Sequence, residues 1–303
     1  MKGYGKMNGK TLVIVNPCSG KAKMRTELLN VVQILSQDGS LVTVYPTKDR
    51  GDATGFVEAL KPDEYDKIVV CGGDGTLNEV ITGLMRSGVP YTLGYIPSGT
   101  LNEWSSGLHI ARNIMQAAED INNGTKIKLD IGKFADRYFS YTASFGAFTD
   151  ASYSAPQDIK NVLGQAAYFF EGIKSLGNIK PVHLKIEADG RTEEGDFLFG
   201  AISNSMSVVG IVKFSESSVK LNDGKFEVLL IRNPDNILKL QPVIDGILKK
   251  DLDRPGIDFF SAEKITVTGG DGLSWTLDGE YARGEETVEI ENLHNAIELI
   301  VPQ

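Results

Sequence analysis

The sequence predicts an α/β protein: an N-terminal doubly wound parallel sheet, then a mainly antiparallel β second domain carrying two helices. Three observations predict it. Continuous apolar runs alternate with helical periodicity over the first 125 residues, the pattern of a sheet covered on both faces. From about residue 127 the pattern changes to period-2 stretches separated by DGR, NDG and DGE turn triplets. The pentapeptide GTLNE occurs at 75–79 and again at 99–103, each time after an apolar strand and ahead of a helix.

The elements follow in order. TLVIVNP (11–17) reads as a buried strand, and 21–39 as a helix ending at a glycine. LVTVYPT (41–47) is a strand and DATGFVEAL (52–60) a helix. KIVVCGG (67–73) leads into the helix 76–88, and TLGYIPSG (92–99) into a further helical segment. In the second domain DIGKFADRYFSYTASFGAF, VHLKIEADG, RTEEGDFLFGAISNS and KFEVLLIRN read as strands, interrupted by helices at roughly 158–176 and 235–249. NAIELIVP (295–302) is an apolar last strand. The expected boundaries are 1–126 and 127–292, with a strand at about 293–303 returning to the first domain.

Composition narrows the function. A net charge of −9 lacks the basic footprint of a nucleic-acid binder. The sequence offers no apolar run long enough to span a bilayer and no signal-peptide core at its start. Cys18 and Cys71 do not make a disulfide framework, so a reduced cytoplasm is the expected home. His109, His183 and His294 are scattered without metal or triad spacing, and there is no G-x-S-x-G elbow.

The glycine turns carry the chemistry. NPCSGK (16–21), GGDGTLNE (72–79) and PSGTLNE (97–103) follow the first, third and fourth strands. Glycine lets the backbone approach a ligand, and a helix N-terminus offers unpaired N–H groups and a positive dipole end. Together they suit phosphate at the carboxyl edge of the sheet. Neither the G-x-x-x-x-G-K-[ST] nor the G-x-G-x-x-G fingerprint is present. Asp74 would repel phosphates unless a cation such as Mg²⁺ bridges them; its competing role is to cap the following helix. Asn78 and Glu79 are weighed equally as ligand contacts or first-turn caps. SWTLDGEY (274–281) holds two acids in a D-G turn that also signals a plain hairpin, and KLNDGKF (220–226) is a second acidic turn of the same kind.

With NPCSGK, GGDGTLNEV and IPSGTLNE in place, and LDIGKFADRYF, LGQAAYFFEGIKSL, KLNDGKFEV and LDGEY following in order, the chain resembles the diacylglycerol kinase catalytic-domain family over its full length. That family includes soluble bacterial diacylglycerol kinases and, more distantly, sphingosine and ceramide kinases. The resemblance implies a two-domain fold with the active site in the cleft, and phosphorylation of a lipid hydroxyl. It implies an ATP site at Asn16, Pro17, Cys18, Ser19, Gly20, Thr47, Gly73, Asp74, Gly75, Thr76, Leu77, Asn78, Glu79 and Thr100. Glu280 matches the family's proton acceptor, and Asp278 its neighbour that positions it or assists Mg²⁺. A structural Mg²⁺ is implied at Asp223 and the carbonyls of Lys220 and Lys225, with Asn222 where a second acid often stands. Relatives often carry Asp at the position of Glu103, and two glycines within the stretch matching TASFGAF (142–148) where this chain has one. The 163–176 segment is apolar and aromatic, suited to core packing or to an acyl-chain wall.

The expected activity is ATP-dependent phosphorylation of diacylglycerol to phosphatidic acid, by a cytoplasmic protein peripheral at the inner membrane surface. Its partner is a membrane lipid and not a nucleic acid; the sequence admits a homodimer without requiring one. NAD kinases and phosphofructokinases share the GGDGT turn, so an NAD kinase-like enzyme with a soluble substrate is the alternative, and a non-catalytic nucleotide-binding regulator the other.

Overall fold

The computed structural model describes residues 9–19, 23–99, 102–146, 180–205, 207–208, 212–213, 220–234, 240–249 and 251–303. The chain divides into two compact units, one running to Leu129 and taking in Asn295–Gln303, the other Asp130–His294.

The first unit begins with β1 (Lys10–Val15), α1 (Lys23–Leu35), β2 (Leu41–Pro46), α2 (Asp52–Glu58), β3 (Lys67–Gly72), α3 (Asp74–Ser87) and β4 (Thr92–Pro97). A short α4 (Glu103–Gly107) and α5 (Ile114–Asn123) follow. Strand order from the edge is β2, β1, β3, β4, every neighbouring pair parallel. β1, β3 and β4 are buried almost throughout, which is why they read as unbroken apolar runs. The first crossover steps one way and the later ones the other. Right-handed connections therefore place α1 and α2 on opposite faces, and α1 packs with α5 and α2 with α3. The reversal between β1 and β3 is the point where open α/β sheets bind ligands.

Helix α3 starts at Asp74, two residues before the sequence expectation. Gly73, extended at φ −91° and ψ −176°, is its cap residue and brings the acid into the first turn. α1 is shorter than expected because Ser36–Gly39 turn back toward β2. The segment after β4 breaks into α4 and α5, the second capped by Asn113, whose side chain accepts from the N–H groups of Met115 and Gln116.

β5 (Thr125–Phe134) leaves the first unit and enters the second, which continues with β6 (Arg137–Phe139), β7 (Thr142–Gly146), β8 (Val182–Ala188) and β9 (Arg191–Ser203). After the short pair β10 (Ser207–Val208) and β11 (Val212–Lys213) come β12 (Phe226–Arg232), α6 (Leu240–Lys249), β13 (Ile257–Ala262) and β14 (Lys264–Thr268). β15 (Ser274–Leu277), β16 (Glu280–Arg283) and β17 (Thr287–Val301) complete the chain. Within this unit the order is β16, β15, β7, β9, β8, β14, β17, with β12 joining β9 to β13 and β5 joining β17 to β6. Pairings are antiparallel. The core gathers Phe134, Phe139, Phe145, Phe197, Phe226 and Trp275, and Trp275 meets Phe134 and Phe145 edge-on, each at 4.9 Å.

Several features escaped the sequence, β14 among them. β13 alternates poorly because Phe259 faces outward beside the core-packed Phe260. β17 begins at Thr287, not near 295: residues 287–291 pair with β14, while Glu298 and Leu299 pair in parallel with Thr92 and Leu93 of β4. The helix expected at 158–176 lies outside the described residues, as does the first part of the one expected at 235–249.

Candidate functional site

The three glycine turns of the first unit are knitted together by their own polar groups. The Asn16 N–H donates to the Cys71 carbonyl (2.9 Å), and the Asn16 amide to Thr76 Oγ1 (3.2 Å). Asn16 Oδ1 accepts from the Cys18 N–H (2.9 Å), fixing the turn after β1. The hydroxyls of Ser19 and Ser98 lie 2.6 Å apart, and the Ser98 N–H donates to the Gly72 carbonyl (2.8 Å). First, second and third turns thus share one edge of the sheet.

Gly73 and Gly99 explain why side chains are missing there. A Cβ on Gly99 would lie 2.6 Å from Gly73 Cα, so the two turns pack backbone to backbone. Gly75 differs: a Cβ there meets nothing within 4 Å, so its space is open. Asn102, held at φ 50°, closes the third turn by accepting from the Gly99 N–H (2.9 Å) and donating to its carbonyl (2.8 Å).

Asp74 does not cap its own helix. Its Oδ2 accepts from the Glu103 N–H (3.2 Å) at the start of α4, joining the two GTLNE turns, while Oδ1 is buried and has no hydrogen-bond partner. Burial raises the carboxyl pKa above the ordinary Asp value, opposed by the backbone N–H groups of Glu103, Trp104 and Asn102.

Other residues of the turn belong to the scaffold. Leu77 is buried in the core, and its N–H donates to the Gly73 carbonyl (3.1 Å). Glu79 accepts from the N–H groups of Gly51 (2.9 Å) and Ala53 (3.3 Å), so it caps α2 and not its own helix. That engagement braces the loop leading from Thr47, whose N–H donates to the Val15 carbonyl (2.8 Å). Pro17, Cys18 and Asn78 stand on the same two turns, Cys18 exposed. Gly20 and Thr100 lie outside the described residues.

In the second unit LDGEY is a hairpin. Leu277 pairs with Glu280 across Asp278 and Gly279, both with positive φ (49° and 86°), as a two-residue type I′ turn requires. The hairpin expected from the D-G pair is therefore present. Asp278 is buried and accepts from three successive N–H groups: Ser140, then Tyr141 and Thr142 at 3.0 Å each. Its carboxylate clamps the start of β7. Glu280, exposed, stands at the first position of β16, which Arg137 braces by donating to the Tyr281 carbonyl (2.8 Å).

The acidic turn 220–225 carries an exposed Asp223 that accepts from the Lys225 N–H (3.1 Å). Two carboxylates missed by the sequence reading support it. Asp130, fully buried, accepts from the Gly224 N–H (2.7 Å), and its own N–H donates to the Leu221 carbonyl (2.9 Å). Glu227, buried, has an unpartnered Oε2; burial, then the charge of Asp223, pushes its pKa up to about 8. Among the described residues no three His, Cys, Asp or Glu side chains converge as a ready-made metal cluster. Asp130 could have been suspected as the one acid inside the apolar run of β5; Glu227 gave no signal beyond its place in an apolar strand.

Comparison with known proteins agrees with these two halves. Residues 10–134 match the family model of the diacylglycerol kinase catalytic domain, and residues 143–301 the YegS C-terminal NAD kinase beta sandwich-like domain. A diacylglycerol kinase of Staphylococcus aureus (strain MRSA252) is 33% identical over 297 residues, covering 98% of this chain and 93% of that protein. A crystal structure of a proposed diacylglycerol kinase from Bacillus anthracis superposes with a TM-score of 0.81 at 27% identity, over 99% of this chain and 98% of that one. Another structure of a diacylglycerol kinase from that organism, at 23% identity and a TM-score of 0.75 over 98% of each chain, shares the fold. The chain belongs to the diacylglycerol kinase family, a family of phosphotransferases.

Proposed function

We propose that the protein is an ATP-dependent lipid kinase that transfers the γ-phosphate to a lipid hydroxyl, with diacylglycerol as acceptor and phosphatidic acid as product. The observation that carries this reading is Asp74 Oδ1, a buried carboxylate oxygen without a partner, set among three turns of anion-binding type. A carboxylate beside phosphate needs a cation between them, and Mg²⁺ held by Asp74 would supply that neutralisation during transfer. The residues present fit ATP. The N-terminus of α3 presents N–H groups without intrahelical acceptors, Gly75 leaves room for close approach, and Asn16 and Ser19 fix the neighbouring turn. Thr47 belongs to the same edge of the sheet.

Glu280 accepts the proton of the lipid hydroxyl. Its exposure at a hairpin tip suits a base that meets a substrate, and Asp278, fully engaged by backbone N–H groups, positions the turn. A structural Mg²⁺ at the 220–225 turn would be held by the Asp223 carboxylate and the carbonyls of Lys220 and Lys225, and would offset the charge of Asp223 that helps to raise the Glu227 pKa. Among the described residues no helix is long and apolar enough to cross a membrane, and we place the protein at the cytoplasmic membrane surface as a peripheral enzyme.

The test is an acceptor panel with labelled ATP and Mg²⁺: diacylglycerol in mixed micelles, sphingosine, ceramide and NAD, each alone. Labelled phosphatidic acid with unlabelled NAD is expected. Phosphorylated NAD with no labelled lipid overturns the reading in favour of the NAD kinase-like one, and bound ATP with no product on any acceptor favours a regulator.

A further inference from the structure

A cavity of about 380 Å³ opens at the amino end of β4, the end opposite the glycine turns. Its lining residues belong to the first unit. The volume falls within the range of small-molecule sites. Local structure sets its walls. Gly88 ends α3 in the left-handed region, at φ 68°, and its N–H donates to the Leu84 carbonyl (2.9 Å). The Val89 N–H donates to Ser87 Oγ (3.2 Å), which pins the loop leading into β4. On the next strand Glu298 and Leu299 pair with Thr92 and Leu93, and Ala296 and Ile297, just before them, line the cavity.

Leu84, Met85, Val89, Pro90 and Ile297 give the cavity an apolar wall. Most of its polar groups are already engaged. Tyr91 sends its hydroxyl to the Lys61 carbonyl. Thr92 Oγ1 donates to Glu298 Oε1 (2.6 Å) and accepts from Lys126 Nζ (3.0 Å), and Lys126 pairs with that same Glu298 oxygen (2.9 Å). The hydrogen bonds from Thr92 and Lys126, aided by the charges of Lys126 and Lys128, hold the Glu298 carboxyl below the ordinary Glu range. Asn295 adds a neutral amide. Lys128 is different. It is exposed on β5 at the cavity, and among the described residues it makes no ion pair. Lys126 offsets Glu298, so Lys128 leaves one unmatched positive charge beside an apolar wall, in a chain whose net charge is −9.

We infer that this cavity binds a small monoanionic amphiphile, an acid group on a single acyl or alkyl chain, with Lys128 taking the acid and the wall of Leu84, Val89 and Ile297 taking the chain. An exposed lysine alone holds an anion weakly, and burial of a chain supplies the rest of the affinity. A cation is repelled by Lys128. A polyanion such as a nucleotide would set further charge against Glu298 and polar surface against the apolar wall. A free fatty acid and a single-chain phosphate monoester both have the required chemistry. The site is independent of the kinase reading, because the six residues of β4, about 20 Å of strand, separate it from the glycine turns.

Titration calorimetry of the full chain with octanoate, octyl phosphate, 1-octanol and octylamine tests it. At least one of the two acids should bind with a single site per chain, and the alcohol and the amine about tenfold more weakly or not at all. Binding of octanoate alone identifies a fatty acid as the ligand, and of octyl phosphate alone a phosphate monoester. Lys128→Gln should weaken the acid on the order of tenfold, while Lys128→Arg stays within about threefold of wild type. Both should keep wild-type melting temperature and Mg-ATP affinity, because Lys128 is exposed and lies away from the nucleotide turns. Val89→Glu sets an acid in the half-buried wall and should abolish binding by a second route. Acids that bind no better than octanol, or that bind Lys128→Gln as tightly as wild type, overturn the site. Dissociation constants above about 1 mM for both acids also overturn it. So does displacement of the bound acid by Mg-ATP, which would place it at the glycine turns. The kinase reading survives each of these failures, since the acceptor panel tests it separately.

Discussion

At the scale of single residues, the two carboxylates proposed to act in transfer differ in their surroundings. Asp74 is held in the first turn of α3 with one oxygen bonded and the other buried and unpartnered. Asp74→Ala removes a buried charge that costs stability when metal is absent, so the melting temperature without ligand holds steady or rises. Turnover falls by orders of magnitude, and calorimetry shows weakened Mg-ATP binding; an unchanged affinity refutes the assigned role. Glu280 is exposed, and Glu280→Gln keeps its shape while removing the proposed proton acceptor. ATP affinity and melting temperature should match wild type while kcat drops about 10²–10⁴-fold. Near-normal turnover would move the base elsewhere. The identities of both residues were legible in the sequence, as acids within glycine turns. Their hydrogen-bond states were not, because the Asp74 partner, Glu103, belongs to a different turn 29 residues away.

At the scale of elements, the glycine turns serve the sheet as well as the proposed nucleotide. Gly73 and Gly99 are in backbone contact, and Asn16, Thr76, Ser19 and Ser98 bond one turn to the next. Glu79 reaches out of its helix to cap α2, whose own cap residue, Gly51, has no side chain to do it. The LDGE hairpin is clamped the same way: Asp278 gathers three N–H groups at the start of β7. Asp278→Asn leaves one carbonyl oxygen for three donors and turns an NH₂ toward an N–H. We expect a loss of about 2–4 kcal/mol, read as a lower denaturation midpoint, with activity lost through misplacement of Glu280. Equal stability of the variant and wild type would show that the clamp is unimportant. The D-G pair announced this hairpin in sequence, but the partner of Asp278 lies more than 130 residues earlier and no local pattern points to it.

At the scale of the molecule, the last strand ties the chain's end to its beginning. Asn295–Gln303 belongs to the first unit, where Ile297, Leu299 and Ile300 are buried and Glu298 bonds Thr92 (2.6 Å) and Lys126 (2.9 Å). Deleting residues 295–303 uncovers β4 and forfeits about 1.5–3 kcal/mol for each buried side chain. The first unit should then lose at least about 10 °C of thermal stability by circular dichroism, and wild-type melting would refute the role given to this strand. The parallel and antiparallel halves, the three glycine turns and the acids within them were readable from sequence. Those rest on local periodicity and turn chemistry, which neighbouring residues set. Folding was needed to show that Asp74 spans two turns, that Glu79 is a brace, that Asp130 holds the 220–225 turn, and that Thr142 and Thr276 share a sheet face. Each of those depends on strand register and on contacts between residues far apart in the chain, where packing and burial, not neighbours in sequence, choose the partner.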